Sequence, residues 1–447
     1  MENLPVYVLV LYHFLFFWKA YTQPLQYARG ELLSTFFPSF IHLGRPNGER
    51  LDPYYWIRPM VHPVLSVFYP SQLLLSKGLA GRDLRVSFYL YHVHAIGHLL
   101  GGSLGWYWLF SLFLPGWASA FGAVTMTYSG YNIKQQPCVL YTVAWLPFLL
   151  LGIVQQHMMM STLSFGMILL AGYYPVGIQI FLLALAITGL FAPSFWIWIP
   201  AGLVLGAVQL VPFLKYLPKT IRANRHDSIG VVPWWHLIHL VFPRTTRWNV
   251  GSVGFWEMSY YVGLMPLFLL PSLGWLGLAP LVGLPLMFGL FSQYLPRIPA
   301  RWCYSFQTLL GLFSAYALYQ LGLPPGFLAA LFVIQALDLY IHNSDLVPTR
   351  PHTELWQNPK RAYDTKVTRF LKKNLGDFRV SGLPYPNFTG HVAKLKTLGY
   401  SGGMQLKLMA KWRNDDNPNG SGDHDWFRRN EDNGLLDNYR VRYAFTK

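Results

Sequence analysis

Residues 5–21 read PVYVLVLYHFLFFWKAY, and this stretch decides the class of fold. It is almost entirely apolar and aromatic, and a helix needs about 20 such residues to cross a bilayer. It lacks a basic segment in front and a small-residue cleavage site behind, which a secretory signal would have. We therefore expect it to be the first membrane helix.

Similar apolar runs recur along the chain, separated by Pro, Gly or charged residues. Counting runs of about 16 to 22 residues as spans predicts about 11 transmembrane helices. The expected fold is an all-α polytopic membrane bundle. The predicted spans are 5–21, 84–103, 108–131, 136–155, 158–173, 175–192, 196–216, 258–272, 274–294, 302–321 and 324–342.

Composition supports this class. Of the 447 residues, 53% are hydrophobic, 17% are aromatic and only 12% are charged. Soluble domains usually carry about a quarter charged residues, so the balance excludes a soluble globular domain as well as disorder or a disulfide scaffold. The two cysteines, Cys138 and Cys303, lie in apolar runs and are expected to be buried thiols.

The charges are distributed unevenly. The net charge is +16, and residues 1–342 hold only eight acids against 17 Lys and Arg. Four of these acids lie between residues 31 and 83. Because an ionisable side chain is costly in an apolar segment, each of them needs a local reason.

The connections between predicted spans alternate in character. One set is long or basic and includes 22–83, 215–257 and the stretch with Arg297 and Arg301, whereas the other set has no Lys or Arg. Nearly all the charge is thus predicted on one membrane face. The positive-inside rule would make that face cytoplasmic, although the rule is strongest for short loops.

The chain divides into two parts. Residues 1–342 form the predicted membrane domain, and residues 343–447 are polar after a Pro-containing linker. A helix over 360–374, followed by alternating stretches such as DFRVSG and NYRVRYAF, predicts a small α+β domain. Within the first part, the segment 22–83 is expected to carry interfacial helices over 31–43 and 64–76.

Two acids of that first long loop are candidate catalytic groups. Glu31 follows Gly30 at the start of a predicted interfacial helix, where the helix dipole stabilises a carboxylate. Asp52 precedes Pro53 in LDPYYW. Each also fits a purely structural role, as a first-turn acid and as a turn residue respectively.

Histidines and arginines supply the other candidates. In HVHAIGH, His94 and His98 share a helix face while His92 points away, which favours a polar lining over a three-ligand metal site. The stretch WWHLIHLVFP, with His236 and His239, is expected to be a helix lying at the membrane surface. Guanidinium groups match phosphate oxygens, so Arg297 and Arg301 are candidates for phosphate recognition, or else a snorkelling pair at a helix end. Arg222 and Arg225 offer a second cluster.

The order of several short motifs resembles the YfhO-like family of bacterial multi-pass membrane proteins, assigned to the GT-C superfamily of polyprenyl-phosphate-sugar glycosyltransferases. The likeness runs over about 400 residues, although each motif is short. The motifs are RGELLSTFFP, LDPYYW, VFYPSQLLL, LGAVQLVPFLKYL, PWWHLIHLVFP, YYVGLMPL, LPRIPARW, ALDLY, GDFRV, LGYSGG and YRVRYAF.

The resemblance implies an inverting glycosyltransferase with a GT-C-like bundle. An acid of the first external loop would be the general base, which points to Glu31 where the family has Asp, with Asp52 as the second choice. For such a transfer, the residues that we expect to bind the substrate are Arg58, Arg222, Arg225, His236, Arg297 and Arg301. No resident metal site is assigned to the chain, and whether the reaction uses a divalent cation is left open.

The implied partners are a polyprenyl-phosphate-linked sugar and membrane lipids, with no nucleic acid. The implied location is the bacterial cytoplasmic (inner) membrane, part of the cell envelope, with the basic loops and the C-terminal domain on the external face. This orientation is opposite to the one that the charge rule gives. Two other functions remain open: a non-catalytic scaffold or accessory subunit of a membrane complex, and a transporter in which Asp338 would carry protons.

Overall fold

The structure is a computed structural model, and it describes the chain over eleven ranges. These are residues 3–22, 37–43, 66–133, 137–219, 234–243, 261–282, 284–285, 302–344, 366–374, 379–381 and 441–444. All structural statements below concern these residues.

Helices make up nearly all of the described chain. The α-helices are, in order, α1 (Leu4–Phe16), α2 (Trp18–Thr22), α3 (Phe37–Leu43), α4 (Pro70–Gly78), α5 (Leu84–Ser111), α6 (Gly116–Thr127), α7 (Gly130–Ile133), α8 (Pro137–Ala144), α9 (Leu146–Val154), α10 (Met158–Ala171), α11 (Tyr174–Phe191), α12 (Trp198–Tyr216), α13 (Leu264–Leu269), α14 (Cys303–Gln320), α15 (Pro325–Asn343) and α16 (Lys366–Asn374). The 3₁₀ helices are Leu217–Lys219, Trp234–Leu240 and Leu270–Val282.

Five helical stretches in the described chain are long and apolar enough to cross a membrane. They are Pro137–Val154, Tyr174–Phe191, Trp198–Tyr216, Leu264–Leu281 and Pro325–Asn343. Apolar side chains remain exposed on them: Leu190 is 75% exposed and Val204 74%. Exposed apolar surfaces of this kind can lie against the hydrocarbon chains of a bilayer. The chain is a membrane protein built on helices, and the count of about 11 spans stays a prediction.

Proline and glycine interrupt two of the helical stretches in the described chain. The run 136–155 is two helices, α8 and α9, because Pro147 has no N–H to donate to the preceding turn. Near residue 273, where two predicted spans were separated, the chain bends at Gly274 with φ of 57°. The described helical stretch nevertheless continues through this bend to Val282.

The described residues fall into two compact units. The first comprises the described parts of Met1–Thr22, Val93–Ala207 and His226–Thr349. At its centre lies α6, which is buried from Ala118 to Thr127 and packs against α1, α14 and α15. Small residues on α6 allow this close approach, and both cysteines are buried in this unit as expected.

Glycines also bring α10 and α12 together within the first unit. A Cβ on Gly202 would lie 2.5 Å from the ring of Phe165, and one on Gly206 would lie 2.5 Å from Leu169. The two glycines are four residues apart and therefore share a helix face. This is the small-residue spacing by which membrane helices pack closely.

The second unit comprises the described parts of Gln23–His92, Val208–Arg225 and Arg350–Lys447. In it, Phe37 and Phe40 of α3 pack against Phe88 and Tyr91 at the start of α5. The helix predicted over 31–43 is helical in its described part, 37–43. The helix predicted over 64–76 begins only at Pro70 and ends at Gly78, and the position of both at a membrane surface stays a prediction.

The described C-terminal residues contain a helix and one strand pair. The helix α16 covers the second part of the helix predicted over 360–374. Strands β1 (Arg379–Ser381) and β2 (Val441–Ala444) pair in parallel with an irregularity after Arg379. They fall within the two stretches predicted as strands, while the complete α+β domain remains a prediction.

Candidate functional site

Most of the candidate site residues lie outside the described residues. Glu31, Asp52, Arg58, Arg222, Arg225, Arg297 and Arg301 are in this group. The structure therefore leaves their arrangement untested, and His236 is the candidate that it describes.

His236 lies in the 3₁₀ helix Trp234–Leu240, in the stretch predicted to be helical. Its side chain is 2% exposed, and its ring centroid is 4.8 Å from that of His239 with the planes at 90°. Burial and the neighbouring His239 lower the pKa of His236 to about 4. At neutral pH the imidazole is uncharged, so it can exchange hydrogen bonds with a sugar but supplies no positive charge to a phosphate.

The best-defined polar site is built around Asp338 on α15. The hydroxyl of Tyr261 donates to Oδ1 of Asp338 at 2.6 Å, and the backbone N–H of Leu264 donates to Oδ2 at 2.8 Å. Because Leu264 is the first residue of α13, the carboxylate satisfies an N–H that the helix itself leaves without a partner. Nε2 of His342, one turn further along α15, lies 3.5 Å from Oδ1.

A second residue of α15 holds the same backbone segment. Nε2 of Gln335 donates to the carbonyl of Val262 at 2.7 Å and to the hydroxyl of Thr125 at 3.0 Å. The N–H of Gly130 donates to the carbonyl of Tyr261 at 2.8 Å. We refer to these contacts around residues 261–264 as the 261–264 clamp.

Glycine is required at the centre of the clamp. Gly263 has φ of +91°, a conformation that residues with a Cβ rarely adopt. A Cβ there would also lie 2.5 Å from Oε1 of Gln335. The sequence YYVGLMPL therefore places its glycine where the chain turns against α15 and enters α13.

A neighbouring polar network ties α1 to the same region of the first unit. The hydroxyl of Tyr12 donates to the carbonyl of Ala336 at 2.8 Å. Nδ1 of His13 lies 2.9 Å from the Tyr128 hydroxyl, and its Nε2 lies 2.9 Å from the Tyr21 hydroxyl. His13 is fully buried, and both of its ring nitrogens have partners, which indicates a structural role.

The histidines of HVHAIGH are arranged as predicted. The rings of His94 and His98 lie 4.6 Å apart, and Nδ1 of His94 is 3.0 Å from the Tyr141 hydroxyl. His92 instead stacks on Phe88 with the planes at 9°. In the described part of the chain, no group of three or more His, Cys, Asp or Glu side chains is placed to share a metal ion.

Comparisons with known proteins add no relative to this picture. No family model matches the chain, and no curated protein or solved structure shows significant similarity to it. The likeness to the YfhO-like family rests on the quoted motifs alone.

Sequence reasoning named Asp338 but missed what it does. The sequence suggests a proton carrier, whereas in the structure each carboxylate oxygen of Asp338 accepts a hydrogen bond. Two features of the sequence are consistent with this role. A lone acid in a span needs a partner. The glycine in YYVG marks a position where the chain can turn sharply. Their proximity depends on tertiary packing, which the sequence does not display.

Proposed function

We propose that the chain is a membrane glycosyltransferase that moves a sugar from a polyprenyl-phosphate donor to an acceptor hydroxyl with inversion. The observation that carries the proposal is that both carboxylate oxygens of Asp338 already accept hydrogen bonds. Asp338 is the sole acid in the described membrane helices, and the donors to its two oxygens are Tyr261 and Leu264. A general base is therefore best sought among the acids of the loop 22–83.

In the proposed mechanism, Glu31 takes the proton from the acceptor hydroxyl, with Asp52 as the second choice. The acceptor oxygen then bonds to the anomeric carbon while the bond from that carbon to the lipid phosphate breaks. The leaving phosphate needs fixed cations. We assign Arg297 and Arg301 to it first, then Arg58, Arg222 and Arg225, with neutral His236 as a hydrogen-bonding group for the sugar.

The 261–264 clamp supports this arrangement because it fixes the backbone just after the segment that carries Arg222 and Arg225. Residue 261 follows the long basic connection 215–257, which carries two of the assigned arginines. Gln335, Asp338 and Gly130 fix the backbone at that point. A connection with one fixed end loses less conformational entropy when it orders around a ligand.

The finer architecture belongs to the same proposal. It comprises about 11 spans, interfacial helices in the first loop and a small α+β C-terminal domain on the external face of the bacterial inner membrane. Labelling of Ser421→Cys in intact cells tests the orientation. Both native cysteines are buried, so an impermeant maleimide should label the variant above the wild-type background, and protection would place the C-terminal domain in the cytoplasm.

Activity is tested with purified protein in lipid nanodiscs. The donors are polyprenyl-phosphate glucose, mannose and galactose labelled on the sugar, offered with membrane-extracted acceptors. We expect transfer from one donor by the wild type and its loss in Glu31→Gln/Asp52→Asn. Unchanged turnover in the double variant would remove both acids from the mechanism.

A non-catalytic scaffold or accessory subunit is the second candidate function. It is favoured by large exposed apolar side chains such as Trp275, which is 80% exposed, and Phe268, which is 71% exposed. Such side chains can contact a partner chain as well as lipid. A stable partner that co-purifies with the chain, together with no transfer from any donor, would favour this function over the enzyme.

A further inference from the structure

We propose that His94 and His98 form a two-imidazole site for a divalent transition-metal ion. The two residues are four positions apart on α5, so their side chains lie on the same face of the helix. The described chain offers no site with three or more ligating side chains. Water or a ligand oxygen would therefore complete the coordination.

The spacing of the two rings fits a shared ion. A metal 2.0 to 2.1 Å from each coordinating nitrogen places two imidazole centroids roughly 5 Å apart. The centroids of His94 and His98 are 4.6 Å apart. The separation of the two rings is therefore close to that of two imidazoles that share an ion.

The second nitrogen of each ring already has the partner that metal sites use. Nδ1 of His98 donates to the backbone carbonyl of His94 at 2.8 Å. Nδ1 of His94 lies 3.0 Å from the hydroxyl of Tyr141. Metal-bound histidines nearly always use their other ring nitrogen in this way, which fixes the tautomer and the ring orientation.

Nε2 of His94 provides an independent observation. This nitrogen is buried and has no hydrogen-bond partner among the described residues. An unsatisfied buried polar atom costs about 1–3 kcal/mol. A metal ion bound to Nε2 would remove that cost.

Two glycines lie on the side of α5 that carries the pair. Gly97 and Gly101 lie on the same side of α5 as His94, by the 100° step of a helix. A Cβ at either glycine would meet nothing within 4 Å in the described structure. The described residues therefore leave open space at these two positions on the side of α5 that carries the pair.

Imidazole favours zinc, copper and nickel, and copper(II) binds such sites most tightly. The test adds Cu²⁺ or Zn²⁺ to the untagged, metal-stripped full chain in detergent and follows binding by titration calorimetry. We expect wild type to bind one equivalent that His94→Gln/His98→Gln loses. Tyr141→Phe should weaken binding about 10-fold, because it removes the hydrogen bond behind His94.

Two controls make the test specific. His92→Gln alters a histidine of the same helix whose ring stacks on Phe88 instead, and it should leave binding unchanged. A His239→Gln background removes the other close pair, His236 and His239, whose centroids are 4.8 Å apart. Equal stoichiometry and affinity in wild type and in the His94→Gln/His98→Gln variant would overturn the proposal.

A second measurement keeps both His94 and His98 in place. Electron paramagnetic resonance of the His239→Gln protein with one equivalent of Cu²⁺ counts the nitrogen ligands of the metal. Two nitrogen ligands to the first equivalent are expected. A first equivalent coordinated by oxygen alone, or by one nitrogen, would contradict the shared site.

Discussion

The hydroxyl of Tyr261 donates a 2.6 Å hydrogen bond to the carboxylate of Asp338, 77 residues further along the chain. This contact joins the residue that follows the long basic connection to the last described membrane helix. It makes Asp338, the sole acid in the described membrane helices, part of the framework of the protein.

Removing the Tyr261 hydroxyl should destabilise the protein measurably. A hydrogen bond to a charged group contributes about 1.5–3 kcal/mol, so Tyr261→Phe should lower the unfolding free energy by that order. Unfolding in detergent, followed by tryptophan fluorescence, measures the change. Tyr316→Phe is the matched control, because Tyr316 is 42% exposed and its hydroxyl accepts a hydrogen bond only from Gln320, a neutral side chain one turn along the same helix, among the described residues.

Tyr261 and Asp338 should also show energetic coupling in a double-mutant cycle. We expect the effects of Tyr261→Phe and Asp338→Asn to be non-additive by about 0.5–3 kcal/mol, as for residues in direct contact. Strictly additive effects would mean that the hydrogen bond contributes little.

Gly263 should tolerate no side chain. Gly263→Ala forces a Cβ into a φ of +91° and to 2.5 Å from Oε1 of Gln335. Backbone strain of this kind costs about 1–3 kcal/mol, and the displaced Gln335 adds to it. A thermal shift assay should show a large decrease in melting temperature. Gly326→Ala, where a Cβ meets nothing within 4 Å, should be neutral or mildly stabilising.

The contact between α10 and α12 depends on Gly206. A Cβ there would lie 2.5 Å from Leu169, and overpacking of this kind typically costs about 1–3 kcal/mol. Gly206→Ala should lower the melting temperature, whereas Gly189→Ala, with open space around its Cβ, should not. Equal melting temperatures for the two variants would show that these helices can separate at no cost.

Acid should destabilise the protein partly through His236. Its pKa is lowered to about 4 in the folded chain, against about 6.5 when unfolded. Between these values the unfolded state binds more protons, so stability falls as the pH decreases from about 6.5 to 4. His236→Gln should reduce that slope in melting temperature against pH, and an unchanged slope would assign the acid sensitivity to other groups.

The sequence predicted the helical class and most of the helix positions. Residues 158–173, 175–192, 196–216 and 324–342 are each helical to within a few residues of the predicted ends, because apolar length is a local property. It also predicted that His94 and His98 share a face, since that follows from helical periodicity.

The clamp could not be predicted in the same way. It joins residues 130, 261–264, 335 and 338, and nothing local in YYVGLMPL or ALDLY indicates that the two segments touch. Pairing between distant segments depends on how the helices pack, which follows from side-chain fit over the whole bundle.

The most direct test of the central claim compares two acids of the first long loop. Glu31→Gln removes the proposed base. Asp83→Asn alters an exposed acid whose Oδ1 accepts the N–H of Arg85 at the start of α5, and it serves as the control. Initial rates of sugar transfer from the active polyprenyl-phosphate donor are measured for both in nanodiscs at equal protein concentration. The proposal predicts a rate at least about 100-fold lower for Glu31→Gln and a wild-type rate for Asp83→Asn; equal rates in both variants would contradict it.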